Sequence, residues 1–273
     1  MDYQETQMYG DVMAMVKKQL NDFTLDVAIG GSINDRITNS TRIDSKNASL
    51  KYANVFNLAN IVMSSSASID QKIDAHYQLQ SVFATAQIGY KEGVFLDLTA
   101  RNDWSSTLAY TKYEKKGFFY PSVGVSFLPD KWVKMPEWVS FSKLRGAYSI
   151  VGNGVPPFIT YPVSYVTAGG EILASDAAPF AEMKPEMTHS VELGMEWKFL
   201  QHRLGLNLTY YRTDTYEQFF KLPALAGDKY AYRYVNAGDI RNQGWEITLD
   251  ATPVLTPDFT WKTSLNFLSL IHI

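Results

Sequence analysis

The chain has 273 residues, 46% of them hydrophobic and 19% charged, with a formal net charge of −3. That balance is one of a folded chain, and its slightly acidic charge gives nucleic acid no electrostatic reason to bind. Cysteine is absent, which excludes disulfides, thiolate metal sites and a cysteine nucleophile, and no apolar run approaches the ~18 residues of a membrane-crossing helix.

The opening residues carry Met8, Val12, Met15, Val16 and Gln19 at helical spacing, which predicts a short amphipathic helix. Acidic residues come first and no basic-then-apolar order follows, so this is not a signal peptide. A strand is predicted next, with Leu25, Val27 and Ile29 against Thr24, Asp26 and Ala28, ending at Gly30 and Gly31. Ser32 to Ala75 reads as a long polar loop holding one short element over Lys51–Val62. Val82 to Tyr90 and Val94 to Ala100 then alternate with period two about a turn at Lys91-Glu92-Gly93, a long hairpin. A loop from Trp104 to Gly117 leads to a strand over Ser122–Phe127. The connection Leu128–Val139 holds two Pro and two Trp, and reads as an interfacial turn. A strand through Leu144, Tyr148 and Ile150 breaks at Gly152-Asn153-Gly154, and a loop runs on to Met187. The clearest hairpin is Thr188–Thr215, with Val191, Leu193, Met195, Trp197 and Phe199 in one arm and Leu204, Leu206, Leu208 and Tyr210 in the other. Each arm extends ~40 Å, enough to cross a bilayer at a tilt. After a loop over Tyr216–Gln243, strands run through Trp245, Ile247 and Leu249 and through Phe259, Trp261, Leu265 and Phe267.

Long and short connections therefore alternate along an all-β chain of about nine strands. Part of a large antiparallel up-and-down transmembrane β-barrel has this asymmetry, with long external loops and short periplasmic turns. The polar faces carry Asp97, Arg101, Lys143, Arg145, Glu192, Glu196, Lys198, Glu246, Asp250 and Lys262, which suits a wet lumen and would be costly in a dry sandwich core. Aromatic residues make up 14% of the chain, a share that fits interfacial girdles or sugar-stacking surfaces.

Catalytic and metal signals are absent. Glu192 and Glu196 stand ~13 Å apart along a strand, beyond the ~5–9.5 Å of a glycosidase pair. His76, His189, His202 and His272 show no ligand spacing, and there is neither a phosphate-cradling glycine loop nor a nucleophile elbow.

Five stretches carry a resemblance: FLDLTARNDWSSTLA at 95–109, GFFYPSVGVSFLPD at 117–130, VSFSKLRGAYSIVGNG at 139–154, EMTHSVELGMEWKFLQHRLGLNLTYYRTDTYEQ at 186–218 and VNAGDIRNQGWEITLD at 235–250. Together they resemble the barrel of the SusC/RagA-like TonB-dependent outer-membrane transporters of Bacteroidetes. The resemblance implies a plugged barrel of about 22 strands in the cell outer membrane, set in outer-membrane lipid and without a cofactor. Such a barrel imports oligosaccharides or peptides with a SusD-like lipoprotein as lid and TonB as energy source. Residues 1–273 are then expected to be one partial barrel domain. The signal peptide, N-terminal domain, TonB-contacting segment and plug have no counterpart in it, and 268–273, where alternation breaks, are expected to be a truncation artefact. Candidate substrate or lid contacts are the aromatics of the predicted external loops: Trp104, Tyr110, Tyr113, Phe158, Tyr161, Tyr230 and Tyr232. Candidate lumen residues that would hold a plug are Asp97, Arg101, Arg145 and Glu192. A secreted carbohydrate-binding or adhesin module is the alternative, and the two readings differ in whether the leucine-rich faces point to lipid or into a dry interior.

Overall fold

The computed structural model describes residues 2–44, 49–62, 68–166 and 172–272. Its strands in chain order are β1 (Asp2–Leu20), β2 (Phe23–Asp44), β3 (Ser68–Tyr90), β4 (Val94–Ser105), β5 (Phe118–Phe127), β6 (Val139–Asn153), β7 (Tyr165–Val166) and β8 (Ile172–Leu173). These are followed by β9 (Glu186–Phe199), β10 (Leu204–Tyr216), β11 (Phe219–Pro223), β12 (Tyr232–Asn236), β13 (Ile240–Leu255) and β14 (Thr260–His272). Ten of them form one antiparallel sheet, each long strand beside the next, while β7–β8 and β11–β12 are small hairpins inside two loops. The topology is up-and-down. Residues 45–67, 106–117, 154–185 and 217–239 connect strands at one end, and 21–22, 91–93, 128–138, 200–203 and 256–259 do so at the other.

The expected N-terminal helix is instead β1, which accounts for ten long strands where nine were predicted. Met8, Val12, Val16 and Leu20 repeat every four residues, a spacing that satisfies one helical turn and two strand periods alike. Cross-strand pairing decides between them: β1 is paired with β2 along its whole length, from Asp2 opposite Thr41 to Leu20 opposite Phe23.

A second correction concerns the loop predicted from Ser32 to Ala75. Strand β2 continues to Asp44 and β3 starts at Ser68, leaving between them a 3-10 turn at Leu58–Asn60. Alternation fades there because both faces become polar, as they must where a strand leaves hydrocarbon for water, yet the backbone ladder continues. Gly30 does not end the strand either. A Cβ on it would lie 2.7 Å from the Phe83 ring and 2.6 Å from the Val12 carbonyl oxygen, so the glycine makes room for a cross-strand aromatic. Similarly β4 runs to Ser105 and takes in Trp104, and Tyr232 opens β12.

Register places the apolar residues of neighbouring strands in common rows. Val27, Ala86, Leu98, Val123, Tyr148 and Val191 form one such row across six strands. No second sheet covers it among the described residues, and Leu193, Leu204, Trp245, Leu249 and Leu265 on the same face are exposed. Aromatics rim this face. Phe23, Tyr90 and Trp132 pack at a tilt at the turn end, where Trp138, Phe199 and Trp197 stack, while Trp104, Tyr148, Tyr210 and Trp245 stand toward the loop end. Tyr90 and the level of Trp104 are ten residues apart along β3, which at ~3.3 Å per residue and ~40° tilt is ~25 Å, the height of an outer-membrane hydrocarbon band. The only hydrophobic cluster among the described residues lies in the loops, where Leu108, Val155 and Met183 meet Phe118, Ile159, Phe180, Phe219 and Tyr234. An adhesin sandwich would have put its core between sheets.

Candidate functional site

The wet face of the sheet is the first candidate surface. Alternation puts Asp97, Arg101, Arg145 and Glu192 on it, and the structure sorts them into three networks. Gln87 donates to the Asp97 carboxylate at 2.6 Å. Arg101 Nε donates to Asp103 at 2.7 Å and its Nη2 to the Ser81 hydroxyl at 2.6 Å. Arg145 Nε donates to Glu192 at 3.1 Å and its Nη2 to Thr209 at 2.7 Å, so one guanidinium ties β6, β9 and β10. Gly194 lets it cross, since a Cβ there would sit 2.6 Å from Arg145 Nε. Glu196 pairs with Lys198 at 3.1 Å, so Glu192 and Glu196 each have their own cation and form no acid/base couple.

Above this face, three loops lock together. Thr160 donates its hydroxyl to the Ala109 carbonyl at 3.0 Å, Lys112 N–H donates to Ala181, and Asn236 donates to the carbonyls of Lys184 and Glu217. Lys184 Nζ meets Glu217 at 2.7 Å, and that hydrogen bond holds the ammonium above its ordinary pKa. Tyr234 is likewise raised, by burial first and then by Tyr232.

Two cavities lie under and within these loops. One of about 370 Å³ is lined by Tyr77, Asp103, Ser105, Phe118 and Tyr120 of the wet face and roofed by Val155, Pro156 and Pro157. The other, about 470 Å³, is lined by Asp74, Phe158, Ile159, Asp176, Tyr232 and Tyr234. Both offer ring faces, hydroxyls and carboxylates, a set that can hold sugar hydroxyls or peptide amides without breaking a bond.

The seven loop aromatics do not gather into one site. Phe158 and Tyr232 share the larger cavity, with Lys221 Nζ 3.6 Å from the centroid of the Tyr232 ring. Tyr110 and Tyr161 form an exposed pair, centroids 5.0 Å apart and the residues 72% and 56% exposed. Tyr113 packs on Phe118 between Lys112 and Lys116. Tyr230 lies against Lys229 in the loop before β12. Trp104 belongs to the outward row of β4, opposite Gln80, rather than to a loop. Sequence reading missed Tyr77, Tyr120 and Tyr234 as cavity walls. Tyr120 was legible from the inward parity of Ser122 and Gly124, whereas Tyr77 lay in a stretch read as loop.

A family model described as TonB dependent receptor-like, beta-barrel matches residues 2–270. The chain belongs to this family. Among curated relatives, it is 26% identical over 200 residues to a TonB-dependent receptor of Formosa agariphila, covering 70% of this chain and 20% of that protein. It is 27% identical over 179 residues to the TonB-dependent receptor SusC of Bacteroides thetaiotaomicron, covering 60% of this chain and 18% of that one. Among solved structures, the RagAB peptide transporter superposes with a TM-score of 0.85 at 18% identity, over 99% of this chain and 30% of that one. The Escherichia coli outer-membrane transporter YddB does so with a TM-score of 0.69 at 11% identity, over 99% of this chain and 34% of that one. The chain thus spans about a fifth of the length of the curated relatives it matches. As a TonB-dependent receptor barrel of the outer membrane, its loops are external, its turns periplasmic, its apolar rows lipid-facing and its wet face the lumen wall.

Proposed function

We propose that this barrel segment forms one wall and part of the outer mouth of an energy-coupled importer of oligosaccharides or peptides. It acts as a binding and translocation scaffold, without bond-making chemistry. The observation that carries the reading is the uncovered apolar face backed by a charged, hydrogen-bonded inner one, an arrangement that needs hydrocarbon on one side and water on the other. Phe158, Tyr161 and Tyr232, with Tyr110, are the loop groups that meet substrate or a SusD-like lipoprotein lid. Asp97, Arg101, Arg145 and Glu192 face a plug, and TonB acts through another part of the receptor.

The test uses the full-length receptor in its native outer membrane. Uptake of labelled peptide and oligosaccharide pools is compared between the parent and a Phe158→Ala/Tyr232→Ala variant. Uptake of one pool that depends on TonB and falls at least fivefold in the variant supports the reading. Normal uptake by the variant removes the cavity from the pathway, and a receptor that leaves the membrane without detergent overturns the barrel assignment itself.

A further inference from the structure

Strand β10 places Leu204, Leu206, Leu208 and Tyr210 on its outward face and then, on that same face, Arg212 and Asp214. Ladder pairing sets Asp214 opposite Arg241 of β13, and Arg212 opposite Gln243. The Asp214 carboxylate is clamped from both sides: Arg212 Nε donates to one oxygen at 2.8 Å and Arg241 Nε to the other at 2.5 Å. One negative charge therefore orients two positive ones. Asp214 is 15% exposed, against 38% and 43% for the two arginine side chains. The Nη nitrogens of both donate to no other group among the described residues.

Position gives this cation its meaning. Arg212 stands eight residues beyond Leu204, ~27 Å along the strand and ~20 Å along the membrane normal at ~40° tilt, so a long side chain reaches the outer edge of a ~25 Å apolar band. Directly beneath it, Tyr210 and Trp245 pack with ring centroids 5.0 Å apart. Under those rings a shallow outward groove of about 380 Å³ runs between Leu144, Leu193, Met195 and Leu208. Elsewhere on the outward face at the loop end, the described strands present no Arg or Lys; the corresponding positions of β2 and β3 hold Asp35 and Gln78. The basic pair is local to β10 and β13, not a general basic ring.

A net positive charge on the lipid side of a barrel wall takes no part in the conduit. At headgroup depth its natural counterpart is an anion, and paired guanidinium forks match phosphate oxygens in geometry and charge. The phosphorylated lipid of the outer leaflet of such membranes is a glycolipid carrying several acyl chains. We propose that Arg212 and Arg241, oriented by Asp214, bind a phosphate of lipid A, with one acyl chain lying in the groove below Tyr210 and Trp245. The proposal rests on the outward assignment of this face and is independent of what the lumen carries.

The experiment takes the full-length receptor in mild detergent and measures its binding of purified lipid A, phosphatase-treated lipid A, phosphatidylglycerol and inorganic phosphate by native mass spectrometry and thermal shift. Intact lipid A should bind at least tenfold tighter than the dephosphorylated form. An Arg212→Gln/Arg241→Gln variant should lose that preference while retaining heat-modifiable migration and substrate uptake. Equal binding of intact and dephosphorylated lipid A by the unaltered receptor overturns the proposal without recourse to any variant. Phosphatidylglycerol or inorganic phosphate binding as tightly as lipid A overturns it too, as does undiminished preference in the folded double variant. Loss of heat-modifiable migration by the parent would instead point to failure of the barrel reading.

Discussion

Arg145 shows how one residue can serve a wall that has no core beneath it. Its guanidinium joins three strands, and it can lie across β9 because position 194 has no side chain. Gly194→Val should displace it, break the Glu192 bridge and lower the stability of the folded receptor by about 1–3 kcal/mol in urea titration. An unchanged midpoint would show that Arg145 has room to move. The short turns carry strain of a different kind: Leu200, Gln201 and His202 have φ of 53°, 58° and 64°, the left-handed region disfavoured for residues with a Cβ. Gln201→Gly should therefore raise stability by about 1 kcal/mol in the same titration. In the loops, Lys184 is held above its ordinary value of 10.5 by Glu217. A raised lysine contributes stability that is complete below the unfolded value and lost as pH climbs through the folded one. Amide exchange of residues 217–239 should thus accelerate above pH ~10.5, beyond the intrinsic base-catalysed rate, and Lys184→Met should remove that step.

Strands are the units that commit the chain to a membrane. On β10 the side chains at 206 and 208 face outward and those at 207 and 209 inward, so adjacent positions report opposite solvents. Leu208→Arg, near the hydrocarbon midplane, should cost about 2–4 kcal/mol in lipid vesicles, and Asn207→Lys, one step along and opposite Glu196, less than about 1 kcal/mol. Equal costs would mean that the two faces share one environment. At this scale the period-two rows of β3, β4, β9, β10, β13 and β14 were open to reading from the sequence, because each crosses hydrocarbon on one side only. The strand β1 was not. A four-residue repeat is common to both helix and strand, and only a partner ladder distinguishes them. The outer halves of β2 and β3 were hidden as well, since strands standing in water lose the apolar signal that marks them.

At the scale of the whole molecule the sheet is a single layer in which, among the described residues, β1 and β14 each pair on one side only. Unpaired edge amides in hydrocarbon cost several kcal/mol each, so an edge left open there favours pairing with another edge. Expressed by itself and refolded in detergent, the 273-residue chain should associate through β1 and β14, which sedimentation would detect as oligomers; a stable heat-modifiable monomer would contradict this. Alternation and the rhythm of long and short connections were enough to establish an all-β, up-and-down membrane wall with a charged inner face, because hydrophobicity at each strand position is set locally by which solvent that position meets. Which aromatics share a cavity was decided only by tertiary structure: Phe158 and Tyr232 line one cavity while Trp104 turns to lipid, since loop residues carry no period and are placed by contacts with distant segments. The same holds for the Arg212–Asp214–Arg241 clamp, whose members look like ordinary strand-end charges until the register of β10 against β13 puts them side by side.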